Sequence, residues 1–306
     1  MKNDVAIYKL KHSQFEKDYY QYAPHMNQDD FCFYHFVGGD PNETDKLIEQ
    51  LHTIKNERVL LLGIFRFPFQ FEGKKRLETA IHQYYHMKEI CDTVAFFHGE
   101  GMLHMIQSDT TVVEANKFFN SLEDELVEAL ENMVSIPGEM NIDVQDIKHF
   151  ITQSDGPLFL HTIERDSFDQ PLKNLISAPY LPDNYADGKQ MILNIGYTQG
   201  VDMEAYRQIN LRLHDMFHKA DLVKLGSYYI NKPGKQFKIT LLVNGIEDPF
   251  PKPEHFSKTS TSTTALWFKK KWEGLFKKGK EGKSADKSSP AALTHNHHSL
   301  GQEEKA

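Results

Sequence analysis

The sequence predicts an α/β protein in which a Rossmann-type domain leads into a long central helix and a second, α+β domain. Three observations predict this class. Apolar runs alternate with amphipathic stretches through the first half of the chain, which is the pattern of βαβ units and a mostly parallel sheet. One long stretch near the middle keeps its apolar residues at helical spacing. After residue 247 the apolar runs give way to Ser, Thr and Lys, which predicts a flexible basic tail.

The first half of the chain is expected to contain three strands joined by helices. The strands are short apolar runs, and the helices repeat their apolar residues every three or four positions. In the longest helix Ala115, Phe119 and Leu126 follow this spacing, and Pro137 comes just after its end. The expected elements are strand Phe31–Val37, helix Asp45–Ile54, strand Val59–Phe65, helix Lys74–Ile90, strand Thr93–Phe97 and helix Thr111–Val134.

The second half is expected to contain four strands and two helices, which indicates an α+β domain. The strands are Leu158–Ile163, Met191–Ile195, Leu222–Ile230 and Phe237–Val243, and the helices lie near Asp169–Ser177 and Glu204–Phe217. The resulting domain boundaries are 1–135 for the first domain with the central helix, 136–246 for the second domain, 247–264 for a linker, 265–280 for a basic amphipathic helix and 281–306 for a disordered tail.

Composition excludes several classes of protein. The formal net charge of −8 argues against a nucleic-acid partner, because phosphate contacts need clustered Lys and Arg. Two cysteines, Cys32 and Cys91, make a disulfide scaffold improbable and favour the reducing cytoplasm. No run approaches the ~18 apolar residues of a spanning helix, and the first ten residues lack the apolar core of a signal peptide. We expect a cytoplasmic protein without a metal site.

Two blocks on either side of the central helix resemble the tubulin-like division protein FtsZ. The stretch 67–76, Phe-Pro-Phe-Gln-Phe-Glu-Gly-Lys-Lys-Arg, looks like the FtsZ segment after its fourth strand. The stretch 137–146, Pro-Gly-Glu-Met-Asn-Ile-Asp-Val-Gln-Asp, looks like the FtsZ synergy loop, and the likeness extends from about Phe31 to Ile246. The resemblance implies a divergent member of the FtsZ and tubulin superfamily, with a truncated nucleotide-binding-type domain.

The synergy-loop likeness implies a surface that faces a partner. In filaments of the family the acidic residues of this loop enter the nucleotide pocket of the neighbouring subunit and position the attacking water. Asn141, Asp143 and Asp146 match the motif residue by residue. The same residues also suit the start of a helix, with Asn141 or Asp143 as N-cap. Both interpretations can hold together.

The phosphate-binding loops of the family are missing or altered. A phosphate cradle needs several converging backbone N–H groups, which glycines make accessible. No glycine precedes Gly38. Where the family has its glycine-rich signature, Gly38 and Gly39 are followed by carboxylates at Asp40, Glu43 and Asp45 and by a proline at position 41, which lacks an N–H. The simpler interpretation is a helix start with Asp40 as N-cap and the proline at the first helical position.

A few further residues match pocket positions of the family. Glu72 and Arg76 correspond to positions near the ribose and phosphate, and Asn120 to the residue that reads guanine, so the vestigial pocket would comprise these with Gly38 and Gly39. Glu72 and Arg76 are four residues apart and equally suit an ion pair on one helix. We expect no resident cofactor and no GTPase activity, while weak GTP or GDP binding stays open.

The segment 265–278 predicts an interfacial helix. Phe268 and Trp272 would share one face and Lys269 and Lys270 the opposite face, which is the pattern of a helix lying on an anionic membrane. The residues expected to bind the membrane are Trp267, Phe268, Lys269, Lys270, Lys271, Trp272, Leu275, Phe276, Lys277 and Lys278. A docking peptide for a protein partner and a helix folded back on the second domain are the alternatives.

Together these features predict a non-catalytic FtsZ-like protein. It would lie on the inner face of the cell membrane and bind or regulate filaments of FtsZ or of another FtsZ-like subunit. Two alternatives remain: a self-assembling GTP-binding GTPase with a remodelled pocket, and a membrane-bound scaffold unrelated to division.

Overall fold

The computed structural model describes residues 5–136, 138–153, 156–166, 178, 180, 182, 184–250 and 252–253. The chain up to Lys252 forms one compact unit, and a second unit starts at Pro253. The predicted helix at Asp169–Ser177, the basic segment 265–280 and the tail 281–306 lie outside the described residues. None of the helices in the described part combines the length and apolar composition needed to cross a bilayer.

The first sheet contains four parallel strands in the order β1-β2-β3-β4. Right-handed βαβ crossovers join such strands, and their apolar sequences are buried on both faces. The elements of this half are β1 (Ile7–Lys11), α1 (Phe15–Tyr22), β2 (Phe31–Val37), α2 (Thr44–Asn56), β3 (Leu60–Arg66), α3 (Lys74–Ile90), β4 (Thr93–Phe97), α4 (Gly99–Leu103) and α5 (Val112–Ser135).

The second sheet contains four strands in the order β5-β8-β6-β7, with β6 and β7 parallel and the other neighbours antiparallel. Its elements are α6 (Val144–Thr152), β5 (Phe159–Arg165), β6 (Gln190–Tyr197), α7 (Met203–Met216), β7 (Leu222–Tyr229) and β8 (Phe237–Asn244). One hydrophobic core runs from α5 into this sheet. The α/β class is confirmed, and every predicted strand or helix within the described residues is present with ends shifted by at most two residues.

Residues 5–30 were not assigned from the sequence. They supply β1, which pairs in parallel with β2 at one edge of the sheet, and the short helix α1. Tyr34 of β2 packs edge-on against Phe15 of α1, with ring centroids 6.2 Å apart. The N-terminal segment therefore extends the truncated sheet by one strand.

Helices α3 and α5 cover opposite faces of the first sheet, because side chains alternate along a strand. Leu62 and Ile64 of β3 belong to the core that includes Phe119 of α5. Phe65, between Ile64 and the last residue of β3, instead packs edge-on against Tyr84 of α3, with ring centroids 5.6 Å apart. The first sheet therefore lies between α3 and α5.

Candidate functional site

The loop after β2, residues 38–44 and here called the glycine loop, lies at the carboxyl end of the first sheet. Gly39 has φ +116°, a conformation that favours glycine. Its N–H donates to Oε1 of Gln83 at 2.8 Å, and Nε2 of Gln83 donates to the carbonyl of Asp40 at 2.6 Å. A Cβ on Gly38 would lie 2.4 Å from the ring of Phe65. Close packing requires Gly38, backbone conformation favours Gly39, and the N–H of Gly39 is already bonded to α3.

The rest of the glycine loop forms a helix start. The carboxylate of Asp40 accepts the N–H of Asn42 at 3.0 Å, and Pro41 begins a short 3-10 turn. The N–H groups of Glu43 and Thr44 donate to the carbonyls of Asp40 and Pro41. The prediction of Asp40 as N-cap and Pro41 as the first residue of the turn is confirmed. These N–H groups have internal acceptors, whereas an anion site leaves its N–H groups free.

His12, which sequence reasoning missed, lies just past the carboxyl end of β1. Its Nε2 is 2.7 Å from Oε2 of Glu43, and its Nδ1 is 2.6 Å from the hydroxyl of Tyr34 and 2.8 Å from Oε1 of Gln50. The ring meets Phe36 edge-on, with centroids 4.7 Å apart. Glu43 is thus part of a polar network across the glycine loop. Only the pairing of β1 with β2 brings His12 to this loop, so no local sequence signal could identify it.

A buried charged cluster fills the space between β3 and α5. Nε of Arg66 donates to Oε1 of Glu123 at 2.5 Å, and a terminal nitrogen of Arg66 donates to Oδ1 of Asn120 at 2.7 Å. His35 lies 3.6 Å from the other oxygen of Glu123. Arg66, Glu123 and His35 are each less than 10% exposed. The carbonyl of Asn120, the residue that resembles the guanine-reading position, is therefore engaged by Arg66.

The charges in this cluster stabilise one another. Burial by itself raises the pKa of the Glu123 carboxyl. The contacts of Glu123 with His35 and with the Arg66 guanidinium outweigh burial and hold that pKa below its usual value. The guanidinium of Arg66 also lies 5.9 Å from the centroid of the Phe119 ring. Arg66 and Glu123 thus form a hydrogen-bonded ion pair between β3 and α5, whereas the two buried ring nitrogens of His35 have no hydrogen-bond partner among the described residues.

Glu72 and Arg76 form the ion pair that their spacing allows. Nε of Arg76 is 3.0 Å from Oε2 of Glu72. The other oxygen of Glu72 accepts the N–H of Phe69 at 2.9 Å and closes the turn before α3. Gly73 follows with φ +99° and serves as the N-cap of α3. Both side chains therefore have partners that belong to the fold.

Residues 138–146, here called the acidic loop, lie after α5. Oδ1 of Asn141 accepts the N–H of Gly138 at 2.7 Å. Asp143 is the N-cap of α6 and accepts the N–H of Asp146 at 2.8 Å, while Asp146 accepts the N–H of Asp143 at 3.1 Å. Asp146 also contacts the ammonium of Lys224. The helix-start interpretation is thus confirmed for Asp143, and the three motif residues share one short loop.

The acidic loop is held against the second sheet by backbone bonds. The N–H of Glu139 donates to the carbonyl of Ser227 at 2.8 Å, and the N–H of Ser227 donates to the carbonyl of Met140 at 3.0 Å. Asn141 and Asp143 stay exposed. The loop begins just after the end of α5, whose 24 residues span about 36 Å. The acidic loop therefore lies at the carboxyl end of this long helix.

Comparison with known proteins gives the same fold. No protein-family model matches the chain. FtsZ of M. jannaschii, in a dimer described as empty, superposes with TM-score 0.62 at 16% identity, covering 82% of this chain and 75% of that one. CetZ2 of Haloferax volcanii, a GTPγS-bound protofilament, superposes with TM-score 0.60 at 12% identity and covers 88% of this chain and 77% of that one. TubZ of Bacillus thuringiensis serovar israelensis, a GDP-form protofilament, superposes with TM-score 0.57 at 11% identity and covers 88% of this chain and 79% of that one. The chain therefore has the fold of the FtsZ and tubulin superfamily in a strongly divergent form.

Proposed function

We propose that this chain is a non-catalytic FtsZ-like protein that binds FtsZ-type filaments at the inner face of the cell membrane and acts in cell division. One observation carries the proposal. The N–H groups of Gly39 and Asn42 in the glycine loop are bonded internally, while the acidic loop after α5 keeps Asn141 and Asp143 exposed. Such a subunit can offer its acidic loop to a neighbour but has no phosphate cradle of its own.

The glycine loop argues against triphosphate binding on energetic grounds. Opening it would break the bonds of Gly39 and Asn42, each contributing on the order of 1 kcal/mol. It would also expose Gln83, which is fully buried. The carboxylates of Asp40 and Glu43 would then lie beside the phosphates and repel them. The guanidinium of Arg76 lies beside Gly39, but it is paired with Glu72, and the N–H of Gly39 already has an acceptor. Neither group is therefore free to stabilise phosphoryl transfer as the loop stands.

The acidic loop supports a contact with another subunit. CetZ2 and TubZ are described as protofilaments, so similar folds associate end to end. A chain with only one competent end would occupy a filament terminus, where it would cap growth or present the filament to the membrane. The membrane part rests on the aromatic and Lys-rich sequence 265–278, whose single short helix would be a weak anchor that gains from avidity.

Co-sedimentation with preformed FtsZ filaments tests the proposal. Asp143→Ser removes the charge of the acidic loop but keeps an N-cap for α6. We expect this variant to lower the affinity for filaments by about tenfold, as for a charged interface contact. Asp202→Ser is the matched control, because Asp202 is the N-cap of α7 and accepts the N–H of Ala205. Equal affinity of both variants and the original chain would rule out a contact through the acidic loop.

A GTP-binding, self-assembling protein with a remodelled pocket is the second candidate. The observation that favours it is that CetZ2 and TubZ were solved with GTPγS and in a GDP form. Gly38 and Gly39 also keep the tight turn after β2. Nucleotide-dependent assembly of the purified chain, followed by light scattering with and without GTP, separates this candidate from the first.

A further inference from the structure

The chain returns to α3 after its last strand. Beyond β8, the carboxylate of Asp248 accepts the hydroxyl of Tyr84 at 2.7 Å and the ammonium of Lys88 at 2.6 Å. Tyr84 is fully buried, and its phenol thus has a charged acceptor. Residues 247–250 and 252, here called the strap, therefore attach the end of the second sheet to α3 of the first.

Two more contacts join the strap to α3, and a third joins it to the segment after β3. The hydroxyl of Tyr85 donates to the carbonyl of Phe250. The ring of Phe250 packs edge-on against Phe67, with centroids 5.1 Å apart. Nζ of Lys252 donates to Oε1 of Glu89 at 2.9 Å. The chain thus leaves the first unit beside α3, on the face of the sheet opposite α5.

The two helices that cover the first sheet differ in charge. The basic residues of α3 are Lys74, Lys75, Arg76 and Lys88, against acidic Glu78 and Glu89. The acidic residues of α5 are Glu114, Glu123, Asp124, Glu125, Glu128 and Glu131, against one basic residue, Lys117. The basic triplet of α3 is exposed, as are Glu125, Glu128 and Glu131 of α5. Lys74, Arg76 and Lys88 pair with Glu78, Glu72 and Asp248, which reduces the positive charge on the α3 side, whereas α5 stays strongly acidic. An anionic surface therefore repels α5 much more than α3.

We infer that the exposed side of α3 is the surface that this protein presents to an anionic membrane. The inference rests on the membrane association proposed above and adds the orientation of the bound molecule. The strap holds the chain beside α3 as far as Lys252. The 12 residues 253–264 reach roughly 40 Å when extended. That reach would allow either face to meet the membrane, so the charge difference selects α3.

Energy transfer to a lipid dye tests the orientation in the full chain. A fluorophore is placed on α3 by His82→Cys or on α5 by Glu128→Cys, both at exposed positions. The native Cys32 and Cys91 are buried and escape labelling. The two helices lie on opposite faces of the sheet, about 20 Å apart. On vesicles containing phosphatidylglycerol we expect stronger transfer from position 82, and equal or stronger transfer from position 128 would overturn the inference.

Charge reversal gives an independent test with a matched control. Lys75→Glu and Lys117→Glu make the same charge change at exposed positions of α3 and α5. We expect Lys75→Glu to weaken binding to the anionic vesicles by about tenfold, and Lys117→Glu to have a clearly smaller effect. Equal losses would overturn the orientation while leaving membrane association intact. If the unaltered chain floats with neither anionic nor phosphatidylcholine vesicles, the membrane part of the proposed function fails and the inference fails with it.

Discussion

Gln83 bonds both to the N–H of Gly39 and to the carbonyl of Asp40, at 2.8 and 2.6 Å. A residue in the middle of α3 therefore closes the loop that follows β2. Its Nε2 also donates to Oγ1 of Thr44 at 2.9 Å, so one buried amide organises the whole turn. The amide oxygen of Gln83 therefore occupies the N–H of Gly39, a backbone donor of the kind that binds phosphates at helix starts.

Replacing Gln83 should destabilise the protein more than its size implies. Gln83→Ala leaves buried backbone groups of the glycine loop without partners, which costs roughly 1–3 kcal/mol. Gln21→Ala, at an exposed position of α1, is the control and should change stability by less than about 0.5 kcal/mol. Urea unfolding of both variants gives the comparison. Equal midpoints would mean that Gln83 does not organise the loop.

The pair of Arg66 and Glu123 should behave as a buried ion pair. Arg66→Met removes one partner and leaves the carboxylate of Glu123, which is 6% exposed, buried without a counter-charge. This should lower the free energy of unfolding by about 3–5 kcal/mol. The double variant Arg66→Met with Glu123→Leu should recover much of that loss, because it buries no charge. A double-mutant cycle by chemical denaturation measures the coupling. Additive losses in the double variant would contradict the pairing.

Acid should weaken the same cluster. The folded pKa of Glu123 lies below its usual value of 4.5, so its ionised form stabilises the fold above that pH. That contribution is lost as the pH falls through the folded pKa. The difference in free energy of unfolding between the original chain and Glu123→Gln should therefore stay constant from neutral pH to about 5 and decrease below about pH 4.5. A gap that does not change with pH would show that Glu123 is not ionised in the fold.

Removing the contact between the strap and Tyr84 should increase local opening of α3. Asp248→Ala removes the acceptor of the buried Tyr84 hydroxyl and should cost roughly 1–3 kcal/mol, with faster hydrogen exchange in the strap and in α3. Asp187→Ala is the matched control, because Asp187 pairs with Lys219 on the surface, where both side chains are more than half exposed. That exposed pair should contribute less than about 1 kcal/mol. Unchanged exchange in α3 after Asp248→Ala would contradict the role of the strap.

Much of the fold was predictable because its signals are local. The buried strands Phe31–Val37 and Thr93–Phe97 are continuous apolar runs, and the long helix starts at a capping box formed by Thr111 and Glu114. The caps at Asp40 and Asp143 were also readable from the residues that follow them.

The remaining features depend on distant parts of the chain. β1 is only five residues long and mixes apolar residues with Lys9 and Lys11, so its apolar pattern is weak. The contact of His12 with Glu43 exists only once β1 lies beside β2. The bond between Tyr84 and Asp248 joins residues 164 positions apart, where composition indicated a linker. Such contacts follow from topology, which no local pattern in these segments encodes.

We propose that the chain's own side chains and backbone acceptors occupy the groups that would bind phosphates. Isothermal titration calorimetry with GTP and Mg²⁺ on the full chain measures this, with an active FtsZ as the positive control. We expect no binding tighter than a dissociation constant of about 1 mM, a binding free energy weaker than about 4 kcal/mol. Saturable GTP binding with a micromolar dissociation constant would contradict it.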